Sequence, residues 1–156
     1  MTTHYSPEAR HEIVDALNGF LADTTIIYYK THAFHWNVEG PNFYGVHLMF
    51  ETFYKDLWES MDDIAERIRA FSEKVFPNLE MLLQHASIAE LETAPSIDVM
   101  VQNLRDDYIA LSKKAMAIGT IAEKHGDLVT SDMMIQRSAF LEKAAWMLQA
   151  TVKSSS

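Results

Sequence analysis

Two histidines and three carboxylates between residues 35 and 66 are the side chains of this sequence best suited to metal chemistry. They are His35, His47, Glu51, Asp62 and Glu66. Imidazole nitrogen and carboxylate oxygen together are typical ligands of iron and other divalent ions. The chain has no cysteine, which excludes disulfides, thiolate nucleophiles, zinc–thiolate sites and iron–sulfur clusters. We therefore interpret the five side chains as a candidate iron site.

The spacing of these residues indicates two half-sites rather than one closed site. His47 and Glu51 are four residues apart, as are Asp62 and Glu66, so each pair projects from one face of a helix. Glu51 and Asp62 are eleven residues apart, which is about three turns, so the two pairs face nearly the same way. Along the axis they are roughly 16 Å apart at ~1.5 Å per residue, whereas a ligand lies about 2.0–2.6 Å from its ion. One copy of the helix therefore cannot close a site with both pairs.

A second copy of the chain resolves this conflict. His35 is expected at the end of the preceding helix, and so at the same end of the helical hairpin as His47. If two chains pack antiparallel about a twofold axis, the end with His35, His47 and Glu51 meets the partner's end with Asp62 and Glu66. Because a twofold interface duplicates every contact, two equivalent intersubunit sites result. The spacing therefore predicts an obligate oligomer.

The elements that position these residues are predicted from apolar residues that recur every three or four positions. Four long helices and one short helix are expected, at about 7–37, 43–71, 79–85 or as far as 91, 96–126 and from 127 onward. Ser6-Pro7 is a helix start, Gly40-Pro41 a tight reversal, Gly126 a helix stop and Asp127 a cap for the last helix. The long segment after the second helix can cross the length of the bundle. The sequence thus predicts an all-α, ferritin-like four-helix bundle with a short extra helix in the crossover.

Length and composition indicate a single domain over residues 1–156, with flexible tails at 1–5 and 152–156. The chain has 156 residues, of which 48 % are hydrophobic, with only 5 Gly and 4 Pro, as expected for one ordinary helical domain. We find no secretory leader pattern and no run of roughly 18 apolar residues, so a cytoplasmic protein without a membrane partner is expected. The net charge is −9 and neither tail is basic. DNA binding, which depends on Lys and Arg at phosphates, is therefore not expected.

Several short motifs of the sequence together resemble the signature of one family. The motifs are His35-Trp36, Gly40-Pro41, Phe43, His47, Asp62-x-x-Ala65-Glu66-Arg67 and Gly126-Asp127-x-x-Thr130-x-Asp132. Their combination and spacing are similar to the Dps family, the ferritin-like mini-ferritins called DNA-binding proteins from starved cells. The likeness covers nearly the whole chain, including the crossover helix.

The resemblance implies an iron-oxidising and iron-storing function. It implies that Asp62 and Glu66 of one subunit, with His35 of its twofold mate, hold ferrous iron, and that His47 and Glu51 help to form a weaker second position. It also implies a hollow dodecameric shell in which Fe(II) is oxidised to Fe(III), preferentially by hydrogen peroxide rather than dioxygen, and stored as a ferric mineral.

Four further residues are candidates for supporting roles. Trp36 adjoins His35 and is a candidate one-electron donor when a single iron is bound; packing at an interface is the alternative for this side chain. Glu123, Asp127 and Asp132 lie where the resemblance places a threefold pore, and carboxylates there would focus cations inward. For these three acids the alternative is helix capping and ordinary surface charge.

The sequence also departs from the family pattern. Glu51 stands where the family often has Asp, Phe71-Ser72-Glu73-Lys74 replaces a glycine-rich segment, and the Lys-rich tail by which some members bind DNA is missing. Two other function classes stay open, a nucleoid-binding protein and a purely structural bundle. Among the remaining histidines, His32 is an outside candidate for a supporting role because it lies one turn before His35.

Overall fold

The computed structural model describes residues 4–152, and all of their regular structure is α-helical. The helices are α1 (Pro7–Asn37), α2 (Phe43–Ala70), α3 (Leu79–Leu83), α4 (Ile97–Lys124) and α5 (Leu128–Val152). The predicted all-α class and the order of long and short helices are confirmed. The longer version of the short helix is wrong, because α3 ends at Leu83 and the chain turns directly after it. No helix within residues 4–152 is long and apolar enough to cross a membrane.

The helix ends follow local capping chemistry. The Ser6 hydroxyl accepts a hydrogen bond from the backbone N–H of Ala9 at 3.1 Å, which satisfies one of the free N–H groups of the first turn. Gly126 has a φ of +72° and ends α4 in the left-handed conformation that glycine adopts without strain. Ser96 occupies the N-cap position of α4 but makes no side-chain cap hydrogen bond. The start of α1 and both ends of α4 therefore lie within about two residues of the positions that the sequence predicts.

The predicted flexible tails fall largely outside the described residues, since 1–3 and 153–156 are not described. Of the described tail residues, Tyr5 is held in place. Its ring lies 5.3 Å from that of Phe71, and its hydroxyl donates to Asp127 at 3.2 Å. Val152 is the last residue of α5.

Contacts between helices establish their relative directions. Along α1 and α4, the pairs Glu12–His125, Asp23–Lys114 and Lys30–Asp107 run in opposite order. The α1 and α2 pairs Thr25–Met61 and His35–His47 also run in opposite order. Thus α1 is antiparallel to both neighbours, which makes α2 and α4 parallel to each other. This is the arrangement that a long crossover permits and a short hairpin does not.

The core lies between the four long helices and contains large side chains from each of them. Phe20 on α1, Phe53 on α2, Tyr108 on α4 and Leu141 on α5 are all 2 % exposed or less. The rings of Phe53 and Tyr108 pack edge to face at 5.7 Å, a favoured aromatic geometry. This core holds α2 rigidly, with its carboxylate-bearing face directed outward.

The crossover is fixed to the bundle by a buried carboxylate. Asp23 on α1 is 0 % exposed and accepts hydrogen bonds from the backbone N–H groups of Ser87 and Ile88, the Ser87 hydroxyl and the Lys114 ammonium, at 2.6–3.0 Å. Burial disfavours the charged form of Asp23, but these bonds more than offset it and lower the pKa of the carboxyl group. One side chain thus joins α1, the crossover and α4.

A second buried charge reinforces this attachment. The Lys30 ammonium donates to the carbonyl of Ala89 and to Asp107, both at 2.7 Å. Burial raises the pKa of Asp107 more than the adjacent Lys30 ammonium lowers it. The crossover is therefore anchored at two successive points, Ser87-Ile88 and Ala89.

Replacing Asp23 by Ala is expected to destabilise the fold by roughly 3 kcal/mol, because the partly buried Lys114 ammonium and the backbone N–H groups of Ser87 and Ile88 lose their acceptor. Asp106→Ala is the matched control; Asp106 is exposed and, among residues 4–152, pairs only with Arg105, so its loss is expected to cost less than about 1 kcal/mol. Urea unfolding at fixed protein concentration measures both. Equal effects of the two substitutions would contradict the anchoring role.

The pH dependence of this effect has a defined sign. Because the pKa of Asp23 is lowered on folding, its contribution is fully present above the unfolded value of about 3.9 and is lost as the pH falls through the folded value. The stability difference between wild type and Asp23→Ala is therefore expected to shrink in acid below about pH 4.

Candidate metal centre

The reversal between α1 and α2 brings His35 and His47 together. Gly40, with a φ of +116°, allows a turn that most side chains would strain. The imidazole rings of His35 and His47 then stack with centroids 3.7 Å apart and an interplanar angle of 17°. His35 is 8 % exposed and His47 is half-buried, so both rings are held at the edge of the core.

Reciprocal hydrogen bonds fix the protonation pattern of these two rings. Nδ1 of His35 lies 2.8 Å from the carbonyl oxygen of His47, and Nδ1 of His47 lies 2.8 Å from the carbonyl oxygen of His35. A carbonyl oxygen only accepts, so each Nδ1 must carry the proton and donate. In each neutral ring the lone pair is then on Nε2, which is the state in which histidine binds a metal.

Glu51 follows His47 by one turn of α2 and is engaged in an ion pair. Its carboxylate lies 3.2 Å from the Lys55 ammonium, and both side chains are substantially exposed. Such a surface pair is weak. A divalent cation at this position competes with Lys55 rather than with a buried partner.

Asp62 and Glu66 form the acidic half of the candidate centre further along α2. Both are exposed, and within residues 4–152 neither carboxylate makes a hydrogen bond or an ion pair. Asp62 lines a shallow open groove between α1 and α2 together with Trp58 and Met61, and Glu66 follows Asp62 by one turn of α2. Unpaired carboxylates at an open surface are free to take up a cation without first breaking an internal contact.

The nitrogen-bearing half and the acidic half are separate on one chain. Glu51 and Asp62 are both in α2, and the rise of ~1.5 Å per residue separates them by roughly 16 Å. Within the described part of the chain, no three His, Asp or Glu side chains lie close enough together to hold one metal ion.

Trp36 lies beside His32 rather than beside its neighbour in sequence. Its ring is 59 % exposed and lies 4.0 Å from the His32 ring and 6.5 Å from that of Tyr29. The His32 ring in turn lies 6.0 Å from that of His35, so His32 contacts both rings.

His32 proves to be the centre of an aromatic cluster that sequence reasoning did not assemble. Its ring stacks on Tyr54 at 3.8 Å and 13°, and its Nδ1 lies 3.0 Å from the Tyr28 hydroxyl. Burial, with a smaller effect of His35, lowers the pKa of His32, and burial raises the pKa of Tyr28. The four-residue spacing of Tyr28 and His32 was a visible signal of this contact.

Asp127, one of the three candidate pore acids, is buried within its own chain. Asp127 is 0 % exposed and accepts from the Arg67 guanidinium at 2.7 Å and from the backbone N–H of Thr130 at 3.0 Å. Burial opposes its ionisation, but the bonds from Thr130 and Arg67 prevail and lower the pKa of the carboxyl group. Asp127 is therefore a helix cap and an ion-pair partner, and its carboxylate is closed to solvent.

The other two candidate pore acids are accessible. Glu123 is exposed near the end of α4 and accepts from the Ser131 hydroxyl at 2.9 Å. Asp132 is exposed on the first turns of α5 and accepts from Gln136 at 2.6 Å. Both carboxylates lie at the α4–α5 junction and present charge to solvent.

Comparison with known proteins identifies a matching family and similar proteins. The chain matches the ferritin-like domain family over residues 14–155. It is 34 % identical over 139 residues to DNA protection during starvation protein 2 of Bacillus anthracis, covering 89 % of this chain and 95 % of that protein. General stress protein 20U of Bacillus subtilis is 32 % identical over 139 residues, covering 89 % and 96 %.

Solved structures agree with this relationship. The crystal structure of Dps from Staphylococcus aureus has a TM-score of 0.89 at 32 % identity, covering 93 % of this chain and 97 % of that one. Dps from Vibrio cholerae, described as a member of a broad superfamily of ferritin-like diiron-carboxylate proteins, has a TM-score of 0.92 at 30 % identity and covers 97 % of both chains. On the match over residues 14–155 and these relatives, the chain belongs to the ferritin-like proteins and, among them, to the Dps family.

Proposed function

We propose that this protein is an iron-detoxifying and iron-storing mini-ferritin, a ferroxidase that oxidises Fe(II) at sites shared between subunits and keeps the ferric product inside a hollow dodecamer. The observation that carries the proposal is the stacked pair His35–His47, whose two Nδ1 atoms donate to backbone carbonyls and whose Nε2 atoms are thereby free to bind a metal.

The positions of the two half-sites on α2 support their pairing across a twofold axis. The midpoint between His47 and Glu66 and the midpoint between Glu51 and Asp62 both fall between residues 56 and 57. A twofold axis that crosses α2 at that point therefore brings each nitrogen-bearing half to the acidic half of the mate. The same rotation places His47 opposite Glu66 and Glu51 opposite Asp62.

The surface around this midpoint has the composition of an interface. Trp58 is 61 % exposed close to the midpoint, and Tyr29, Trp36 and Tyr44 are 59–72 % exposed along the same hairpin. Large exposed aromatic side chains are typical of protein–protein contacts. A second copy of the chain covers them in the proposed dimer.

Iron is the substrate of the proposed reaction. Asp62 and Glu66 neutralise its charge, and His35 of the mate adds a nitrogen ligand; His47 and Glu51, once Glu51 leaves Lys55, hold a second ion. Two ferrous ions reduce one hydrogen peroxide, and hydrolysis of the two ferric ions to oxyhydroxide releases protons. Carboxylate oxygen favours the harder ferric product. Dioxygen is the second candidate oxidant, and Trp36 is a candidate one-electron donor when one ion is bound.

For iron uptake we assign Glu123 and Asp132, which are exposed at the α4–α5 junction, to a threefold pore. The acidic net charge of −9 attracts cations and opposes binding to phosphate backbones. We therefore propose that this protein, in the cytoplasm, limits oxidative damage through iron chemistry rather than by covering DNA.

A combined mass and oxidation measurement tests the function. Size-exclusion chromatography with light scattering is expected to give about twelve chains per particle, and added Fe(II) is expected to be oxidised faster with hydrogen peroxide than with dioxygen. A salt-sensitive shift of DNA in a gel would favour the nucleoid-binding class instead. A small particle that leaves Fe(II) oxidation at the rate of buffer would contradict the proposal.

Mixing two inactive variants tests whether the site is shared. Asp62→Ala/Glu66→Ala removes the acidic half, and His35→Asn/His47→Asn removes both Nε2 atoms while an amide N–H can still donate to each carbonyl. Each variant alone is expected to lose peroxide-dependent oxidation on the order of 100-fold. Co-assembled at random, half of the dimers are mixed and each has one intact site, so about a quarter of the sites should recover.

The control for this experiment is Asp63→Ala, which removes an exposed carboxylate next to Asp62 and is expected to keep the wild-type rate. No recovery in co-assembled particles of the correct mass would place the site within one chain.

Neutralising the two accessible pore acids tests the uptake route. Glu123→Gln/Asp132→Asn is expected to slow iron oxidation by up to roughly tenfold at low ionic strength, with a smaller effect as salt screens the field. Glu92→Gln/Asp98→Asn removes the same charge from exposed positions elsewhere and is the control. Stopped-flow absorbance of the ferric product measures both rates. Equal slowing in the two variants would mean that net charge, and not a pore, sets the rate.

A further inference from the structure

A small surface cavity lies at the start of α1, where this helix passes the turn that follows α2. Its volume is about 190 Å³, which is enough for an ion with several waters. We call it the α1 cavity. Four of its lining residues carry nitrogen or oxygen atoms of the kinds that bind cations, namely His11, Asp15, Asn18 and Glu73. None of the four belongs to either half of the proposed iron site.

Three of these residues form one stripe along α1. Asp15 follows His11 by four residues, and Asn18 follows Asp15 by three, so the three side chains project from the same side of the helix. Along the axis, Asp15 lies roughly 6 Å from the level of His11 and roughly 4.5 Å from the level of Asn18, at ~1.5 Å per residue. Side chains of these lengths can therefore meet at one ion beside Asp15.

Asn18 is the residue of the stripe that points most directly to a ligand. Its side chain is only 9 % exposed, and its Oδ1 is buried without a hydrogen-bond donor among residues 4–152. A buried amide oxygen without a partner costs free energy, which an apolar side chain of the same size would avoid. Because Asn18 lines the α1 cavity and an amide turns readily about its terminal bond, this oxygen is available to a cation there.

His11 and Asp15 are also free of internal partners. Both are exposed, and in the described part of the chain neither the imidazole of His11 nor the carboxylate of Asp15 forms a hydrogen bond or an ion pair. Glu12, the neighbour of His11 in sequence, is different, because its carboxylate lies 2.6 Å from Nε2 of His125 and 3.1 Å from the Lys124 ammonium. A cation in the α1 cavity therefore displaces no partner of its ligands, whereas one at Glu12 would.

The charges around the α1 cavity favour a cation. Asp15 and Glu73 are negative and Arg10 is positive, so the lining has a net charge of −1 with His11 neutral. Arg10 forms no ion pair within residues 4–152 and so neutralises neither carboxylate by direct contact. Over the same range, no three His, Asp or Glu side chains lie close enough together to hold one metal ion. The third ligand from the protein is therefore the amide of Asn18, and Glu73 contributes charge rather than a bond.

We propose that the α1 cavity is a binding site for a divalent transition-metal ion, held by the imidazole of His11, the carboxylate of Asp15 and the amide oxygen of Asn18, with waters as the other ligands. One nitrogen among oxygen ligands suits ions such as Zn²⁺ or Co²⁺, whereas Ca²⁺ and Mg²⁺ prefer oxygen alone. The site does not depend on the proposed ferroxidase function. An ion bound there joins successive turns at the start of α1 and stabilises the folded chain.

Zinc binding in solution and in crystals tests the site. The assembled Asp62→Ala/Glu66→Ala protein is the background, because it lacks the acidic half of the proposed iron site. Isothermal titration calorimetry is expected to count one zinc ion per chain fewer when His11→Ala/Asp15→Ala is added to this background. Anomalous diffraction at the zinc edge, from background crystals soaked in zinc, is expected to place an ion between His11 and Asp15.

The control for the change in charge is Asp98→Ala in the same background, since Asp98 is exposed at the start of another helix. It is expected to leave the zinc count unchanged, and an equal loss of one ion in this variant would overturn the site. An ion seen between His11 and Asp15 in the crystal, without the difference of one ion per chain in solution, would mean binding at crystal concentration only and would overturn it as well.

Asn18→Leu tests the buried oxygen separately from the exposed ligands. Without zinc, the variant is expected to resist urea at least as well as the background, because an unpaired polar atom has been removed from the interior. Its zinc affinity at this site is expected to fall at least about tenfold, the usual scale for losing a group that supports a metal site. Unchanged affinity in Asn18→Leu would overturn the proposal. His11→Ala and Asp15→Ala alter exposed side chains, so the zinc count remains decisive if Asn18→Leu does not fold.

Discussion

The two hydrogen bonds exchanged by His35 and His47 connect the fold of this protein to its chemistry. His35 lies in the last turn of α1, where backbone carbonyls lack a partner within the helix. Nδ1 of His47 donates to the carbonyl oxygen of His35, and Nδ1 of His35 donates to the carbonyl oxygen of His47. The same contacts therefore close the α1–α2 hairpin and leave both Nε2 atoms as free bases. The unpaired carbonyl at the end of α1 thus determines which nitrogen of His47 carries the proton.

The carboxylates divide into two groups by their hydrogen bonding. Asp23 and Asp127 are fully buried and receive several donors each, so they stabilise the bundle and are closed to ions in the solvent. Asp62 and Glu66 are exposed and have no partner in the described part of the chain. Free carboxylates at the surface cost little in stability and are available to a cation, which is the property that the proposed site requires.

Sequence was sufficient for the helices and for the order of the half-sites, because both depend on periodicity and on a fixed rise per residue. The sequence showed the helix-cap pattern at Asp127 but did not predict its ion pair with Arg67, which is 60 residues away. The sequence likewise did not predict the hydrogen bonds of Asp23 with Ser87, which is 64 residues away. Such long-range pairs depend on how the crossover lies on the bundle, and no local pattern encodes that.

A site shared by two subunits and filled one ion at a time necessarily passes through a state with a single ion. In that state peroxide accepts one electron from iron, and the second must come from the protein or from any molecule nearby. In the nitrogen-bearing half, His35 contacts the rings of His32 and Tyr54. The acidic half at Glu66 lies on the far side of the helix midpoint. In the proposed site, the nitrogen-bearing half is therefore the half whose geometry the hairpin fixes before any iron arrives.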